Sequence, residues 1–459
     1  MRRRRADLAQ RVNGPLRVEF TGTGLTSYAG LELVSRYFRS MDLNGLIRRH
    51  LGGAGLASDF GAVAMVRLVV GLVIVGGRRL RHVEFMRGDP MIHRFCSLAH
   101  LPAARSISRW LKCFTERSVE RLRRLNGEVV ARLVEKLPLK TLTVDVDGSV
   151  VSTGMTVERA FRGFNPHHRK VPSYYPITAY LAETDHILRV KNRSGNVHDG
   201  KSSIQFLRDV FAQVEETLGG GYRLNFRMDG AFFRQAVLRL LEGRRAGFSI
   251  KVPFYEWLGL KHLVALRQRW QKVNAEVGAF ETMLDLATWG LKIRVVLYRK
   301  RVFHQTKKNF QLDLFDPDDG YWEYSAVATN LSFDARRLWD FMCGRGAHEK
   351  ALGELKGGLA FDTIPTRHYG ANSAWQQLVV LAHNLLTNFQ IETGAEPRRR
   401  TGKRTALRVL RRIQTLRFEL INRAGEIVRP NGATLLRLQA NSRAQAFFTR
   451  TADALARAA

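Results

Sequence analysis

Acidic residues are scarce in this chain: 41 Asp and Glu stand against 74 Lys and Arg, leaving a formal charge of +33 over 459 residues. An excess that large repels itself in a compact state, which argues for a polyanionic partner. Nucleic acid fits best, because each neutralised phosphate releases counterions. Cysteine is nearly absent too. Cys96, Cys113 and Cys343 form no C-x-x-C pair, which excludes a disulfide framework and a cysteine-based zinc ribbon and points to a reducing, cytoplasmic setting. His93, Cys96 and His100 lack a fourth ligand, so they do not make a zinc site. Long apolar runs are missing as well. The most apolar window, Phe60 to Gly77, is interrupted by Arg67 and falls short of the roughly twenty residues a membrane span needs. It reads as a buried helix. Arg2 to Arg5 resemble a signal-peptide start, but no apolar segment follows, so the protein is expected to be soluble and unexported.

Beyond these gaps the composition is ordinary, with 45% hydrophobic and 25% charged residues, enough for a large core and more than one domain. Residues 1–138 read as a helical region for DNA binding or dimerisation. Within it, Pro102 to Trp110 follows an apolar stretch, and Ser106 or Ser108 is placed to open a helix bearing Arg105, Arg109 and Lys112. That is what the reading helix of a helix-turn-helix looks like, and equally what any two helices joined by a short turn look like.

From Thr141 the period changes to two. Leu142, Val144 and Val146 alternate with Thr143, Asp145 and Asp147, the pattern of a strand. Strand-like runs follow at Tyr174 to Leu181, with Pro176 suggesting an edge or bulge, and at Ile187 to Val190, Arg223 to Met228 and Phe248 to Val252. Helical runs cover Ile204 to Leu218 and Ala231 to Leu241. Strands alternating with helices indicate an α/β core, here 139–254. Residues 255–330 break that rhythm with strand-like pieces at Leu291 to Tyr298 and Tyr321 to Ala328 and a turn at Asp316 to Gly320, and read as a mostly β insertion. Helical patterning resumes over 331–392. The 393–459 region is a basic helical tail, with eleven Lys and Arg against two acids between Arg398 and Arg429: a solvated face, or a surface for DNA phosphates.

Three places carry acids that invite chemistry. Asp145 and Asp147 share one face of their strand, although Asp is depleted in strands; either acid is open as a metal ligand, and Gly148 and Ser149 follow directly. Asp229 ends a strand-like run just before Gly230, where open α/β sheets gather ligand-handling groups, although such an Asp is often only a helix N-cap. Arg345, Glu349 and Lys356, at i, i+4 and i+11, line one stripe of a helix. Converging carboxylates make the oxygen-rich site that magnesium prefers, and two such metals activate an attacking hydroxyl and stabilise the leaving oxygen of a phosphodiester.

The set resembles the DDE transposases of bacterial insertion sequences, in particular those sharing a Tyr-x2-Arg-x3-Glu-x6-Lys signature. Arg345-x3-Glu349-x6-Lys356 fits its spacing. Thr143 to Ser149 resembles the family's first-aspartate strand and Arg227 to Phe232 its second-aspartate segment; Arg193 to His198 and Ala371 to Trp375 are similar as well. The signature's tyrosine falls on Met342, which donates no hydrogen bond. The resemblance covers roughly 140–440. It implies a ribonuclease H-like core whose triad is Asp147, Asp229 and Glu349, with Asp145 assisting or replacing Asp147. The 120 residues between Asp229 and Glu349 then accommodate the β insertion. It further implies magnesium, with manganese able to substitute, and Arg345 and Lys356 on DNA phosphates. Two protomers would bridge two terminal inverted repeats, nicking each end and joining the freed 3′ hydroxyl to target DNA in a nucleoid-associated setting. A catalytically inactive DNA-binding derivative and a nuclease of the same fold are the alternatives.

Overall fold

The computed structural model describes residues 18–20, 24–56, 60–163, 170–197, 199–302, 321–399, 401–439 and 441–458. The arginine run at 2–5, the turn at 316–320 and His198 lie outside them. The fold is α/β, organised around one large mixed sheet. Its nine strands are β1 (Thr141–Gly148), β2 (Ile177–Leu181), β3 (His186–Lys191), β4 (Arg223–Met228), β5 (Gly247–Lys251), β6 (Gln271–Lys272), β7 (Val277–Leu286), β8 (Leu291–Val302) and β9 (Tyr321–Thr329). They lie in the order β3-β2-β1-β4-β5-β9-β8-β7-β6. β1 is antiparallel to β2 and parallel to β4, β4 is parallel to β5, and every pairing from β5 outward to β6 is antiparallel.

The region 255–330 is thus strand-rich but does not form a layer of its own. β9 hydrogen-bonds β5, so β6 to β9 extend the same sheet past its parallel centre. The sequence pattern marks β8 and β9 but not β6 or β7, and it does not give the edge they join, because strand pairing is a long-range choice. Pro176 ends one strand pairing and begins another: Ser173–Tyr174 pairs with Val151–Ser152, and β2 starts at Ile177.

Among the described residues, six α-helices precede the sheet: α1 (Leu31–Ser40), α2 (Leu43–Leu51), α3 (Ala62–Ile74), α4 (Pro90–Cys96), α5 (Ala104–Lys112) and α6 (Glu116–Val134). α3 is the apolar window, buried on all sides. Its Arg67 sits inside because every arm is satisfied: Nε donates to Phe95 O at 2.6 Å, Nη2 to Ser35 Oγ at 2.9 Å and Nη1 to Asn44 Oδ1 at 3.2 Å. α5 begins at Ala104 with Ala103 at its cap, so Ser106 and Ser108 lie within the helix rather than opening it. No described helix is long and apolar enough to cross a membrane.

The remaining helices are α7 (Asp199–Leu218), α8 (Gln235–Gly243), α9 (Leu260–Leu266), α10 (Ala335–Cys343), α11 (Gly346–Gly353), α12 (Tyr369–Glu392), α13 (Ile413–Leu416) and α14 (Ser442–Ala458). α12 is the spine, almost wholly buried. Its amides stitch it to both neighbours: Asn388 Nδ2 donates to Val129 O at 2.7 Å, and Asn384 Nδ2 and Gln377 Nε2 donate to Ile187 O and Val190 O at 2.9 Å. Buried polar groups on a helix this apolar are tolerated because they are bonded. The basic 393–459 region is less helical than its composition suggests. Gly425–Val428 pairs with both Leu25–Thr26 and Leu435–Leu438, tying the C-terminal region to the N-terminal one. Arg417, one of its bases, caps α3 by donating to Val73 O and Ile74 O.

Candidate active site

The central strands have two unlike faces. Val144 and Val146 point into an apolar core shared with Phe226, Met228, and Phe206, Leu207 and Val210 of α7. By the alternation of side chains, Asp145 and Asp147 point the other way. The parallel register sets Asp145 opposite Arg227 and Val146 opposite Met228. One step on, Asp147 and Asp229 stand side by side at the carboxyl ends of adjacent strands, on one face. Neighbouring strands lie about 4.8 Å apart, so the register brings the ends of the two strands next to each other.

Asp229 begins the turn out of β4. It caps the short 3-10 helix Gly230–Phe232, accepting from Ala231 N at 3.0 Å through one oxygen. That turn is followed by a break before α8, so the single helix expected from Ala231 to Leu241 is two pieces. The cap and a ligand role are compatible, because a carboxylate has lone pairs to spare.

Asp145 has a different position from the assisting ligand expected of it. It is fully buried, and Arg227, also fully buried, grips both its oxygens at 2.5 and 2.7 Å. Burial pushes the Asp145 carboxyl up, while the Arg227 guanidinium opposes the shift. Both Asp145 oxygens are thus engaged by Arg227, whereas Asp147, two residues on, is partly exposed. Arg227 also donates to Phe341 O at 2.8 Å and lies over the Phe341 ring. Gly344 permits this: a Cβ there would fall 2.4 Å from Arg227 Nη1.

α11 lies across this charged face, pinned by three contacts. Arg345, at its N-terminus, brings Nη2 to 2.7 Å from Asp147 Oδ2. His348 Nε2 meets Thr178 Oγ1 at 2.9 Å, and its ring stacks on Tyr180 at 5.2 Å; Thr178 pairs with Asp147 in the β1–β2 ladder and its hydroxyl donates to Asp147 O. Beyond α11 the chain makes a π turn, Glu354–Gly358, and Lys356 donates to Val150 O at 2.8 Å. Glu349 lies between Arg345 and Lys356 in sequence, within α11. It is exposed and has no ion pair or hydrogen bond among the described residues.

Two bases expected on DNA phosphates are thus turned toward the site. Arg345 is only 8% exposed. Its Nη2 approach to Asp147 is an ion-pair contact without hydrogen-bond alignment, so Nη2 and Nε both lack a hydrogen-bond partner. Lys356 is half-buried, and burial lowers its ammonium pKa. Met342, in the signature's tyrosine position, packs beside Val273, Tyr298 and Leu338. Arg105, Arg109 and Lys112 are exposed along α5, opposite buried Ile107, Trp110 and Leu111.

The three carboxylates are not drawn together around a centre. Among the described residues, no group of three or more His, Cys, Asp or Glu is close enough to hold an ion. Asp147 instead accepts from Gly148 N and faces Arg345.

With this geometry, the family is decided by comparison of the whole chain: the family model described as transposase DDE domain group 1 matches residues 9–459. The chain belongs to that family. DDE transposases generally use divalent metal ions, which take oxygen donors such as carboxylates. No curated protein sequence matches the chain. Among solved structures, it is similar to the piggyBac transposase synaptic complex with hairpin DNA, at 11% identity over 86% of this chain and 80% of that one, with a TM-score of 0.40. It is also similar to the Mos1 transposase paired-end complex with the left transposon end, at 12% identity over 44% of this chain and 63% of that one, with a TM-score of 0.19.

Sequence reasoning missed Arg227, His348 and Thr178 as parts of the site. Arg227 had a signal: an arginine two residues before Asp229 in a strand must share its face. His348 and Thr178 had none, because their meeting depends on how α11 docks.

Proposed function

We propose that this transposase is a DNA-cutting and DNA-joining enzyme that nicks the ends of a mobile element and transfers the freed 3′ hydroxyl to target DNA. Asp147, Asp229 and Glu349 are its metal ligands, magnesium its metal and manganese a substitute. The observation that supports the reading is the β1–β4 register, which sets the strand ends leading to Asp147 and Asp229 next to each other, with Arg345, just before the helix bearing Glu349, on Asp147. The order β3-β2-β1-β4-β5, with its first three strands antiparallel and the next two parallel, supports a ribonuclease H-like core.

Each residue then has a task. The three carboxylates offer oxygen donors from three separate elements. Divalent ions bound there would sharpen the attacking hydroxyl and stabilise the leaving oxygen. Arg345, buried with two nitrogens lacking hydrogen-bond partners, is ready to grip a phosphate oxygen in place of Asp147, a stronger and better-aligned acceptor set for a guanidinium. Lys356 holds the loop after β1 and supplies a second cation beside it. His348, Thr178 and Tyr180 fix α11, and Arg227 fixes Asp145 and α10, so the ligands start from a rigid frame. The exposed stripe Arg105, Arg109 and Lys112 contacts duplex phosphates, and two copies of the chain act on two terminal inverted repeats.

The test is cleavage of labelled element-end DNA by the purified protein with magnesium. The wild type is expected to nick and then join to a target plasmid. Asp229→Asn and Glu349→Gln are expected to bind the end yet leave it intact. Cleavage by both variants would refute the site. Binding without cleavage by the wild type would instead favour an inactive DNA-binding derivative, the reading suggested by Met342 and by the Arg345 contact on Asp147.

A further inference from the structure

Behind the reaction face, α11 forms the wall of a second, separate feature. A groove of about 730 Å³ runs between α11, the end of α12 and the chain from 398 to 416. It begins one residue from the site. Lys350, next after Glu349, lines it and points about 100° further round the helix, so the two side chains face the reaction centre and the groove respectively.

The groove is strongly cationic. Lys350, Arg398, Lys403, Arg404, Arg408 and Arg412 are among its lining residues. Its two acids are already engaged: Asp185 accepts from Tyr180 Oη at 2.5 Å, and Glu354 accepts from Ile413 N. Lys403 lies 3.9 Å from Asp340, Arg398 Nε donates to Arg408 O, and Arg408 Nη1 to Ala395 O. Lys350, Arg404 and Arg412 are exposed and have neither ion pair nor hydrogen bond from their side chains among the described residues. Gly346, Gly353 and Gly357 on the helical wall keep it low, so that a backbone can approach.

We infer that this groove binds the phosphate backbone of a single DNA strand that passes over α11 from the reaction centre. The inference rests on the DNA-transposase reading above. The volume is that of a ligand pocket and suits a nucleotide or two rather than a turn of duplex. Apart from Tyr180 and His383 the lining has no aromatic rings, so binding comes through phosphates and not through base stacking. The strand's sequence therefore has little influence.

The experiment uses the full chain, without divalent metal, and fluorescence anisotropy on a short duplex with or without a single-stranded oligothymidine tail. The wild type is expected to hold the tailed duplex more tightly. Arg404→Ala/Arg412→Ala should lose that advantage, on the order of tenfold at low salt, and the log–log salt slope should become shallower by about 1.4, about 0.7 per lost phosphate contact on a single strand. Affinity for the blunt duplex should not change. Arg404→Lys/Arg412→Lys, which keeps both charges, should retain most of the tail's effect, and unchanged thermal unfolding of the alanine variant shows that it folds. An equal loss on both substrates, or no loss on the tailed one, overturns the proposal. Because no metal is present, a failed groove and a failed carboxylate site give separate results: the first appears only here, the second only in strand cleavage.

Discussion

The two faces of the β1–β4 pair are built from the same strands and do opposite things. On one face Val144, Val146, Phe226 and Met228 are packed against α7 in a dry core. On the other, one residue away in each case, Asp145, Asp147, Arg227 and Asp229 lie beneath α10 and α11. The first face lowers free energy by removing apolar area from water. The second buries charge, which is favourable only where partners are complete. Asp145 and Arg227 are complete. Asp147 and Asp229, at the strand ends, are less enclosed, and Arg345 beside them lacks aligned partners. The fully enclosed pair thus lies within the strands, and the more exposed acids lie at their ends.

The largest effect expected from breaking that contrast is on the charged face. Arg227→Met strands Asp145 without a partner and should destabilise the fold by about 3–5 kcal/mol, read from urea unfolding. Adding Asp145→Leu to it should recover most of the loss, because an apolar pair of similar volume needs no compensation; a double variant as unstable as the single one would show that the pair has another role. On the apolar face, Val146→Ala removes two methyl groups next to Asp147. It should destabilise by about 2 kcal/mol while leaving metal-dependent cleavage at a permissive temperature near wild type. A large loss of cleavage there would mean that the two faces are not separable.

A smaller effect comes from pH. His348 on the charged face and His186, bonded to Thr184 and Asn388, are both lowered to about 3 from the ordinary 6.5 chiefly by burial. The unfolded chain takes up protons near pH 6.5 that the folded one refuses. Their stabilisation is therefore full above pH 6.5 and is lost as pH falls toward 3, by up to about 1.4 kcal/mol per pH unit for each histidine. His348→Gln should flatten the fall in unfolding midpoint between pH 7 and pH 5 relative to wild type. An unchanged slope would show that His348 is not held neutral.

Much of this was readable from the chain. β4 begins and ends at the residues expected from its pattern, Arg223 and Met228, and the alternation in β1 separates acids from valines correctly, because a period of two is a local property of extended backbone. The spacing of Arg345, Glu349 and Lys356 marks a helical segment, although the α-helix itself runs only from Gly346 to Gly353 and Lys356 lies in the π turn beyond it. What was not readable is what depends on distant partners. Arg227 finds Asp145 only through the strand register. The β region after 255 joins the main sheet only because β9 pairs with β5. The π turn that contains Lys356 reflects docking, since Arg78 donates to Lys356 O and Gly357 O from a distant part of the chain.

In the proposed reaction Asp147, Asp229 and Glu349 hold divalent ions in common, with Arg345 leaving Asp147 as they do so. Electron paramagnetic resonance of Mn²⁺ titrated into the protein bound to element-end DNA tests it most directly. The wild type should remove Mn²⁺ from the free-ion signal, and Asp147→Asn, Asp229→Asn and Glu349→Gln should each abolish or sharply weaken that uptake, with Asp145→Asn/Arg227→Gln leaving it largely intact. Uptake that persists in all three single variants would contradict the claim.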